Sequence, residues 1–294
     1  MSKSSQSGFH LWIILVAVAA IGVIGLLGWV FITNSNKTTS EVQWAFDEQK
    51  IAWYTKTGTA PDCKDPFVFD QSPIEPSLLT AVLMPGSYRG FSYKPHGGFG
   101  VPNETLGKVE VRMPMDATLV GLTRYYEGDP ADLQYLLTFE NDCGIAFRFD
   151  HIYKLSPELE ALAEKTPEPK VNDTRTSPED NPPRTKFTSG QVIATQVGLP
   201  SMGIYGFDFG VYDYRKQNDI SKNPTWANIH NKFQSLDWYG VCWYDMLPDA
   251  DPDRLRALSL EQTDTRQVVK KVSDYCSHAP YTTLDVNNGQ PTDG

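Results

Sequence analysis

The stretch that decides the fold spans residues 93–101 and reads Tyr-Lys-Pro-His-Gly-Gly-Phe-Gly-Val. Its single histidine, His96, lies between a proline and a pair of glycines, and these neighbours are typical of a turn. The residues after this stretch favour strands, beginning with residues 109–113, where apolar and charged side chains alternate. We therefore expect residues 93–101 to open a β domain that continues to about residue 215.

Short strand-like segments recur through this region, so the predicted fold class is mainly β with an antiparallel sheet. Residues 141–144, Asn-Asp-Cys-Gly, are typical of a hairpin connection between two of these segments. The last segment places Phe207 and Phe209 on one face and Asp208 on the other. For residues 41–54 both a strand and a helix fit the pattern. The predicted strands cover residues 67–69, 109–113, 118–123, 134–140, 145–149, 191–195 and 204–214.

Length, composition and charge narrow the class of protein. The chain has 294 residues, of which 40% are apolar and 12% aromatic, so it can fill a real core. Its formal net charge is −10, and no basic patch interrupts the acidic balance. Because nucleic-acid binding needs concentrated lysine and arginine, nucleic acid is excluded as a partner.

Residues 11–32 form an uninterrupted apolar run that carries no charge. At 1.5 Å per residue the run spans about 33 Å, close to the roughly 30 Å hydrocarbon core of a bilayer. A cleaved signal peptide is the alternative, although its apolar part is ordinarily only about 7–15 residues long. We expect a single transmembrane helix, a short head at residues 1–10 inside, and the bulk of the chain extracytoplasmic. The lipid bilayer is then a partner through residues 11–32.

The four cysteines are Cys63, Cys143, Cys242 and Cys276, without a Cys-x-x-Cys pair. This spacing does not fit a zinc ribbon. In an extracytoplasmic domain two disulfides are expected, with Cys63 paired to Cys143 and Cys242 to Cys276. Four unpaired buried thiols are the alternative.

Changes in composition divide the rest of the chain. A linker and N-terminal region covers residues 33–76, and the β domain covers residues 77–215. Within that domain, residues 156–186 form a proline-rich polar insertion. An aromatic, cysteine-containing extension follows at residues 216–281, and residues 282–294 form a polar tail.

Five short segments of the chain carry a family resemblance, residues 96–101, 113–120, 149–155, 189–194 and 206–211. In this order they resemble motifs of the lysostaphin-type (LytM-like) zinc endopeptidases, which cut peptide cross-links in bacterial peptidoglycan. Residues 96–101 resemble the His-x-Gly-x-Asp-apolar motif, and residues 206–211 stand where that family has His-Leu-His-Phe-Glu-Val. The resemblance implies a LytM-like antiparallel sheet, a duplicated hybrid motif, in a protein of the cell envelope.

Three departures from the family pattern bear on function. His96 and His151 are retained, and the resemblance makes them, with Asp208, the candidate catalytic residues. Gly100 stands where the family has an aspartate ligand, Gly206 where it has a catalytic histidine, and Asp208 where it has the last metal ligand. His96 and Asp208 are thus the only candidate metal ligands that the resemblance supplies.

A catalytic zinc site ordinarily has three protein ligands and one open position. With two ligands the chain is predicted to be a pseudoenzyme without a cofactor, acting in binding or scaffolding, with peptidoglycan or an envelope protein as partner. One alternative is an active zinc-dependent cell-wall hydrolase whose third ligand is His230 or Glu104. Another is an adhesion or assembly module without a cleft, in which His96 only holds a turn.

Overall fold

The computed structural model describes residues 41–89, 92–129, 131–167, 169, 183–230, 236–259, 263–264, 267–268 and 273–276. Within these ranges no helix is long and apolar enough to cross a bilayer. The predicted span at residues 11–32 lies outside them, as do most of the predicted insertion and the tail.

Strands dominate the described residues, which confirms the predicted mainly-β, antiparallel class. Three short helices accompany them: α1 (Pro157–Ala163), α2 (Pro224–Ile229) and α3 (Pro252–Ala257). The strands are β1 (Gln43–Asp47), β2 (Ala52–Thr57), β3 (Ala81–Leu83), β4 (Ser87–Arg89), β5 (Ser92–Lys94), β6 (Gly97–Gly100), β7 (Val111–Arg112), β8 (Ala117–Glu127), β9 (Asp132–Glu140), β10 (Ile145–Leu155), β11 (Thr185–Phe187), β12 (Val192–Val197), β13 (Gly206–Asp213), β14 (Thr263–Asp264) and β15 (Gln267–Val268).

Nine strands form the central sheet, in the order β11-β8-β9-β10-β13-β6-β3, with β12 bridging β10 and β7. The strand pairs along this path are antiparallel. Strand β13 lies between β10 and β6, so its residues have neighbours on both sides. In this register Asp208 is opposite Gly98 on β6 and Asp150 on β10. The three strands that carry the predicted site residues are therefore adjacent.

The hydrophobic core packs against the face of β13 that carries Phe207 and Phe209, the two residues that the sequence pattern placed on one face. Phe207, Phe209 and Val211 are buried there, whereas Asp208 points to the opposite face and is partly exposed. Trp243 of the C-terminal extension packs on Phe99 and Phe209, with ring centroids 4.8 and 5.5 Å away. The C-terminal extension thus shares the core of the β domain.

The N-terminal region forms a hairpin of β1 and β2, which resolves the ambiguity that the sequence left at residues 41–54. Trp53 stacks on Tyr214 with centroids 3.6 Å apart, so the hairpin is fixed to the end of β13. The predicted strand at residues 67–69 is wrong. Phe67 and Phe69 are buried as expected, but the Phe69 amide donates to the carbonyl of Met246, and the segment crosses the core as an irregular loop.

The structure contains disulfides between Cys63 and Cys143 and between Cys242 and Cys276, with Cα–Cα distances of 5.9 and 4.9 Å. These are the two pairs that the sequence analysis put forward. The first ties the N-terminal region to the β9–β10 turn, because Cys143 lies in that turn. The second ties residues 273–276 to the extension.

Residues 273–276 pack against the approach to His96. A Cβ atom placed on Gly86 would lie 2.7 Å from the ring of Tyr275, and one on Gly240 would lie 2.3 Å from it. The Tyr275 hydroxyl donates to the carbonyl of Asp237 at 2.8 Å. The C-terminal extension therefore supports the β4–β5 hairpin, which leads directly into His96.

Candidate functional site

The predicted site residues His96, His151 and Asp208 come together on the face of the sheet opposite the core. His96 immediately precedes β6, Asp208 lies on β13 and His151 lies on β10. His96 Nε2 is 2.9 Å from Asp208 Oδ2, and His151 Nε2 is 3.7 Å from the same oxygen. One carboxylate oxygen thus lies between two imidazoles that are 55 residues apart in sequence. His96 is buried, whereas the side chains of Asp208 and His151 are 14% and 26% exposed.

Glycines on the neighbouring strands make room for this arrangement. A Cβ atom on Gly98 would lie 3.1 Å from Asp208 Oδ1 and 2.8 Å from the carbonyl oxygen of Phe207. A Cβ atom on Gly210 would lie 2.9 Å from the Cβ of His96. Because glycine has no side chain, His96 can pack directly over β13 and reach the carboxylate of Asp208.

His151 reaches the site through an irregularity in β10. Its φ is +58°, in the left-handed region that residues with a side chain rarely adopt. The register between β10 and β9 also shifts between Phe149 and Ile152, the position of a β-bulge. The bulge brings the imidazole toward Asp208 on the neighbouring strand, and Glu127 Oε2 lies 3.4 Å from its Nδ1. Backbone strain of this kind concentrates at functional sites.

Asp150, which sequence analysis missed, is buried beneath His151. Its Oδ1 accepts a hydrogen bond from the hydroxyl of Tyr125 at 2.6 Å and another from the His151 amide at 3.0 Å. Its Oδ2 accepts from the guanidinium of Arg148. Each carboxylate oxygen of Asp150 thus already has a protein donor, which suits a residue that holds His151 in position.

Arg148 balances the charge of the two aspartates. Burial by itself lowers the pKa of its guanidinium, but the nearby carboxylates of Asp150 and Asp208 outweigh burial and raise that pKa. Asp150 and Asp208 are directly opposite each other in the sheet, where two like charges destabilise the pair. The permanent positive charge of Arg148 offsets this repulsion. It also disfavours a divalent cation at the same place.

The two glycines that depart from the family pattern are paired with each other in the sheet, Gly100 on β6 with Gly206 on β13. A Cβ atom on Gly206 would lie 2.5 Å from the carbonyl oxygen of Phe99. A Cβ atom on Gly100 would lie 3.0 Å from the Cβ of Ala81. The strands therefore approach too closely at Gly206 for the histidine that the resemblance places there, whereas at Gly100 the methyl group of Ala81 would have to shift by a few tenths of an ångström.

One group of three potential metal ligands occurs in the part of the chain that the structure describes. It consists of Asp150, His151 and Asp208, whose ligand atoms lie within 4.8 Å of one another. His96, one of the two predicted ligands, is not a member. The suggested third ligands are not members either. His230 is buried with its Nδ1 2.8 Å from Asp237 Oδ2, and Glu104 is exposed in the turn after β6.

These residues fit a zinc ion poorly. Asp150 would have to exchange its contacts with Tyr125 and Arg148 for the metal, and the guanidinium would then lie beside a divalent cation. Two accessible ligands, His151 and Asp208, remain. What the arrangement offers chemically is a carboxylate with two imidazoles, able to accept and donate hydrogen bonds at a partly exposed surface.

Comparisons of the chain with protein-family models, with curated proteins and with solved structures found no match. The functional reading therefore rests on the geometry of the site.

The supporting residues Tyr125, Asp150 and Arg148 had only a faint signal in the sequence. Arg148 alternates with Phe147 and Phe149 at the end of a predicted strand, and Asp150 follows it directly. An arginine and an aspartate two residues apart, on a strand between large aromatics, point to an ion pair on one face. Nothing comparable marks Tyr125.

Proposed function

We propose that this protein is a membrane-anchored cell-envelope protein whose LytM-like domain binds peptidoglycan or an envelope partner and does not cleave it. The observation that carries the proposal is the shared carboxylate oxygen of Asp208, contacted by His96 at 2.9 Å and approached by His151 at 3.7 Å. In a zinc peptidase these groups would face a metal and its water. Here the first histidine and the carboxylate contact each other.

The electrostatics support binding without hydrolysis. Water activation at neutral pH needs a strong Lewis acid or a free general base. Asp150 is held by Arg148 and Tyr125. This leaves His151 and Asp208 as the accessible metal ligands of their group, one fewer than a catalytic zinc ordinarily has. The close approach of β6 to Gly206 also leaves no room for a histidine at that position.

The partly exposed side of the cluster supports a binding role. His151 and Glu127, whose side chains are 26% and 42% exposed, lie 3.4 Å apart and face solvent beside Asp208. A histidine and two carboxylates can hydrogen-bond the amide and amine groups of a peptide cross-link. The strained backbone at His151 keeps this imidazole at the surface of the cluster.

The test is sedimentation of the full-length protein with purified peptidoglycan, followed by chromatography of released fragments. We expect cosedimentation without fragment release. The double variant His151→Ala, Glu127→Gln should weaken cosedimentation, whereas Glu164→Gln, an exposed carboxylate that directly follows α1, should not. Fragment release that His96→Ala abolishes would show an active peptidase. No cosedimentation above background would remove peptidoglycan as the ligand.

A second candidate function, a metal-dependent hydrolase, is favoured by the Asp150–His151–Asp208 group. The two candidate functions can be distinguished by the histidine that a bound metal would need. If a metal bound there, His151→Ala would remove it from the purified protein and His96→Ala would not. Equal metal content in the wild type and both variants, at well below one ion per chain, would exclude this candidate.

A further inference from the structure

Three charged residues meet where the N-terminal hairpin of β1 and β2 joins the central sheet. Arg184, just before β11, has its Nε 3.1 Å from Glu41 Oε1, and its Nη2 donates to the carbonyl of Val42 at 3.4 Å. Its Nη1 lies 3.8 Å from Glu140 Oε2, at the end of β9. In the described part of the chain, Arg184 is the only cation within ion-pair distance of either carboxylate. Two acids therefore share one guanidinium.

The two acids differ in their contact with water. The side chain of Glu41 is 35% exposed, whereas that of Glu140 is only 10% exposed. Burial raises the pKa of Glu140 to about 7, against the opposing charge of Arg184 and with a further contribution from the charge of Glu41. Below that pH Glu140 is mostly neutral, and Arg184 then has a single ionised partner, Glu41.

The other charged or titratable groups around Glu140 are engaged elsewhere or neutral. Burial raises the pKa of the Tyr214 hydroxyl well above its ordinary value, so this group stays neutral. On β10 the nearest charge on the same face is Arg148, which pairs with Asp150. Lys186 on β11 lies in the same cross-strand row, two strands away, and it is exposed, so water and salt screen its charge. Glu140 therefore responds mainly to Arg184 and Glu41.

The hairpin packs on the face of the sheet that carries Asp208. Its Trp44 and Trp53 lie against a cluster that includes Ala146 and Tyr212, which are opposite each other on β10 and β13. Tyr212 follows Asp208 by four positions on β13, and alternation places both side chains on one face. The hairpin therefore covers part of the face that holds the candidate site.

We propose that Arg184 and Glu140 form a pH-responsive clasp for the start of the hairpin. With Glu140 protonated, the guanidinium binds Glu41 and the carbonyl of Val42 and keeps the hairpin closed. Ionised Glu140 attracts the guanidinium and repels Glu41. The buried carboxylate gains more from the cation, because water solvates the more exposed one. A rise in pH therefore releases the start of the hairpin, whatever the candidate site binds.

Hydrogen exchange of the full-length protein, read by mass spectrometry on peptides from residues 41–47, tests this clasp at about pH 6 and about pH 8. After correction for the intrinsic pH dependence of exchange, we expect amide protection to be about tenfold lower at the higher pH. This is the change that a difference of about one pKa unit between the closed and released states produces. Peptides from β10 should keep their protection, because the opening is local. Equal corrected protection of residues 41–47 at both pH values would overturn the proposal.

Two variants test the residues themselves. Glu140→Gln cannot ionise, so the hairpin should stay protected at both pH values. Arg184→Gln removes the clasp and should lower protection at the lower pH to the wild-type value at the higher pH, a result that does not depend on the folding of Glu140→Gln. Glu104→Gln, which changes an exposed carboxylate in the turn after β6, is the control and should behave like the wild type. An undiminished pH dependence in Glu140→Gln, or unchanged protection in Arg184→Gln, would contradict the assignment.

Discussion

Replacement of Gly206 tests whether the sheet leaves room for a side chain at the position where the lysostaphin-type motif has a histidine. A Cβ atom there would lie 2.5 Å from the carbonyl oxygen of Phe99, whereas close C···O contacts between strands are about 3.3–3.6 Å. Alanine at this position therefore forces β13 and β6 apart by close to 1 Å. Overpacking of this kind costs about 1–3 kcal/mol. Histidine, with a whole imidazole to place, should reach the upper end of that range or exceed it.

Urea unfolding measures this cost directly, as a lower midpoint with an unchanged slope. Gly100→Ala is the matched control, because it lies opposite Gly206 but would contact the methyl group of Ala81 at 3.0 Å. A side-chain methyl can give way more easily than a backbone carbonyl. We therefore expect Gly100→Ala to cost less than Gly206→Ala, by about 1 kcal/mol.

The refuting result is specific. If Gly206→His unfolds at the wild-type urea concentration, the close approach of β13 to β6 does not exclude a side chain. If Gly100→Asp combined with Gly206→His also binds one zinc ion per chain, the strands can hold the metal ligands that the resemblance places at these two positions. The proposal that the site is non-catalytic would then be wrong.

Three further predictions concern charge, packing and backbone strain. Burial raises the pKa of Glu140 from 4.5 to about 7, even though Arg184 lies 3.8 Å away and opposes the shift. The folded state then binds more protons than the unfolded state between these values, so stability falls as pH rises from about 4.5 to 7. Glu140→Gln should flatten this decline and stabilise the protein at pH 8 by about 2–3 kcal/mol, or roughly 5–10 °C in Tm; a stability difference that does not change with pH would contradict this. Tyr275→Ala should cost about 3 kcal/mol in urea unfolding, because its ring fills the space beside Gly86 and its hydroxyl bonds to Asp237; a cost below about 0.5 kcal/mol, as at an exposed site, would show that the extension does not support the hairpin. His151→Gly should be about 1 kcal/mol more stable than His151→Ala, since only glycine adopts a φ of +58° without strain; equal stability of the two variants would mean that the backbone there is relaxed.

The arrangement of the site strands was largely predictable from the sequence. Period-two alternation at residues 204–214 placed Phe207 and Phe209 on one face and Asp208 on the other, and β13 has this arrangement, with the two phenylalanines in the core. The alternation is reliable here because β13 packs one face on an aromatic core and leaves the other partly open. The same reasoning failed at residues 67–69, where buried phenylalanines cross the core without a strand partner.

The details around His151 were beyond sequence reasoning. It was predicted to leave the strand that ends at Phe149, but β10 continues to Leu155 and His151 lies in a bulge within it. A bulge depends on how two strands pair, and no local residue pattern encodes it. The buried hydrogen bond from Tyr125 to Asp150 likewise joins two residues that are 25 positions apart on different strands. No sequence motif connects them.

The most direct test of the central claim is the zinc content of the full-length protein, measured by mass spectrometry after purification with excess zinc and dialysis. The claim is that the Nε2 atom of His96, 2.9 Å from Asp208 Oδ2, hydrogen-bonds this carboxylate and does not bind a metal ion. It predicts well under one zinc ion per chain, with the same content in His96→Ala. One zinc ion per chain in the wild type, lost in His96→Ala, would contradict it.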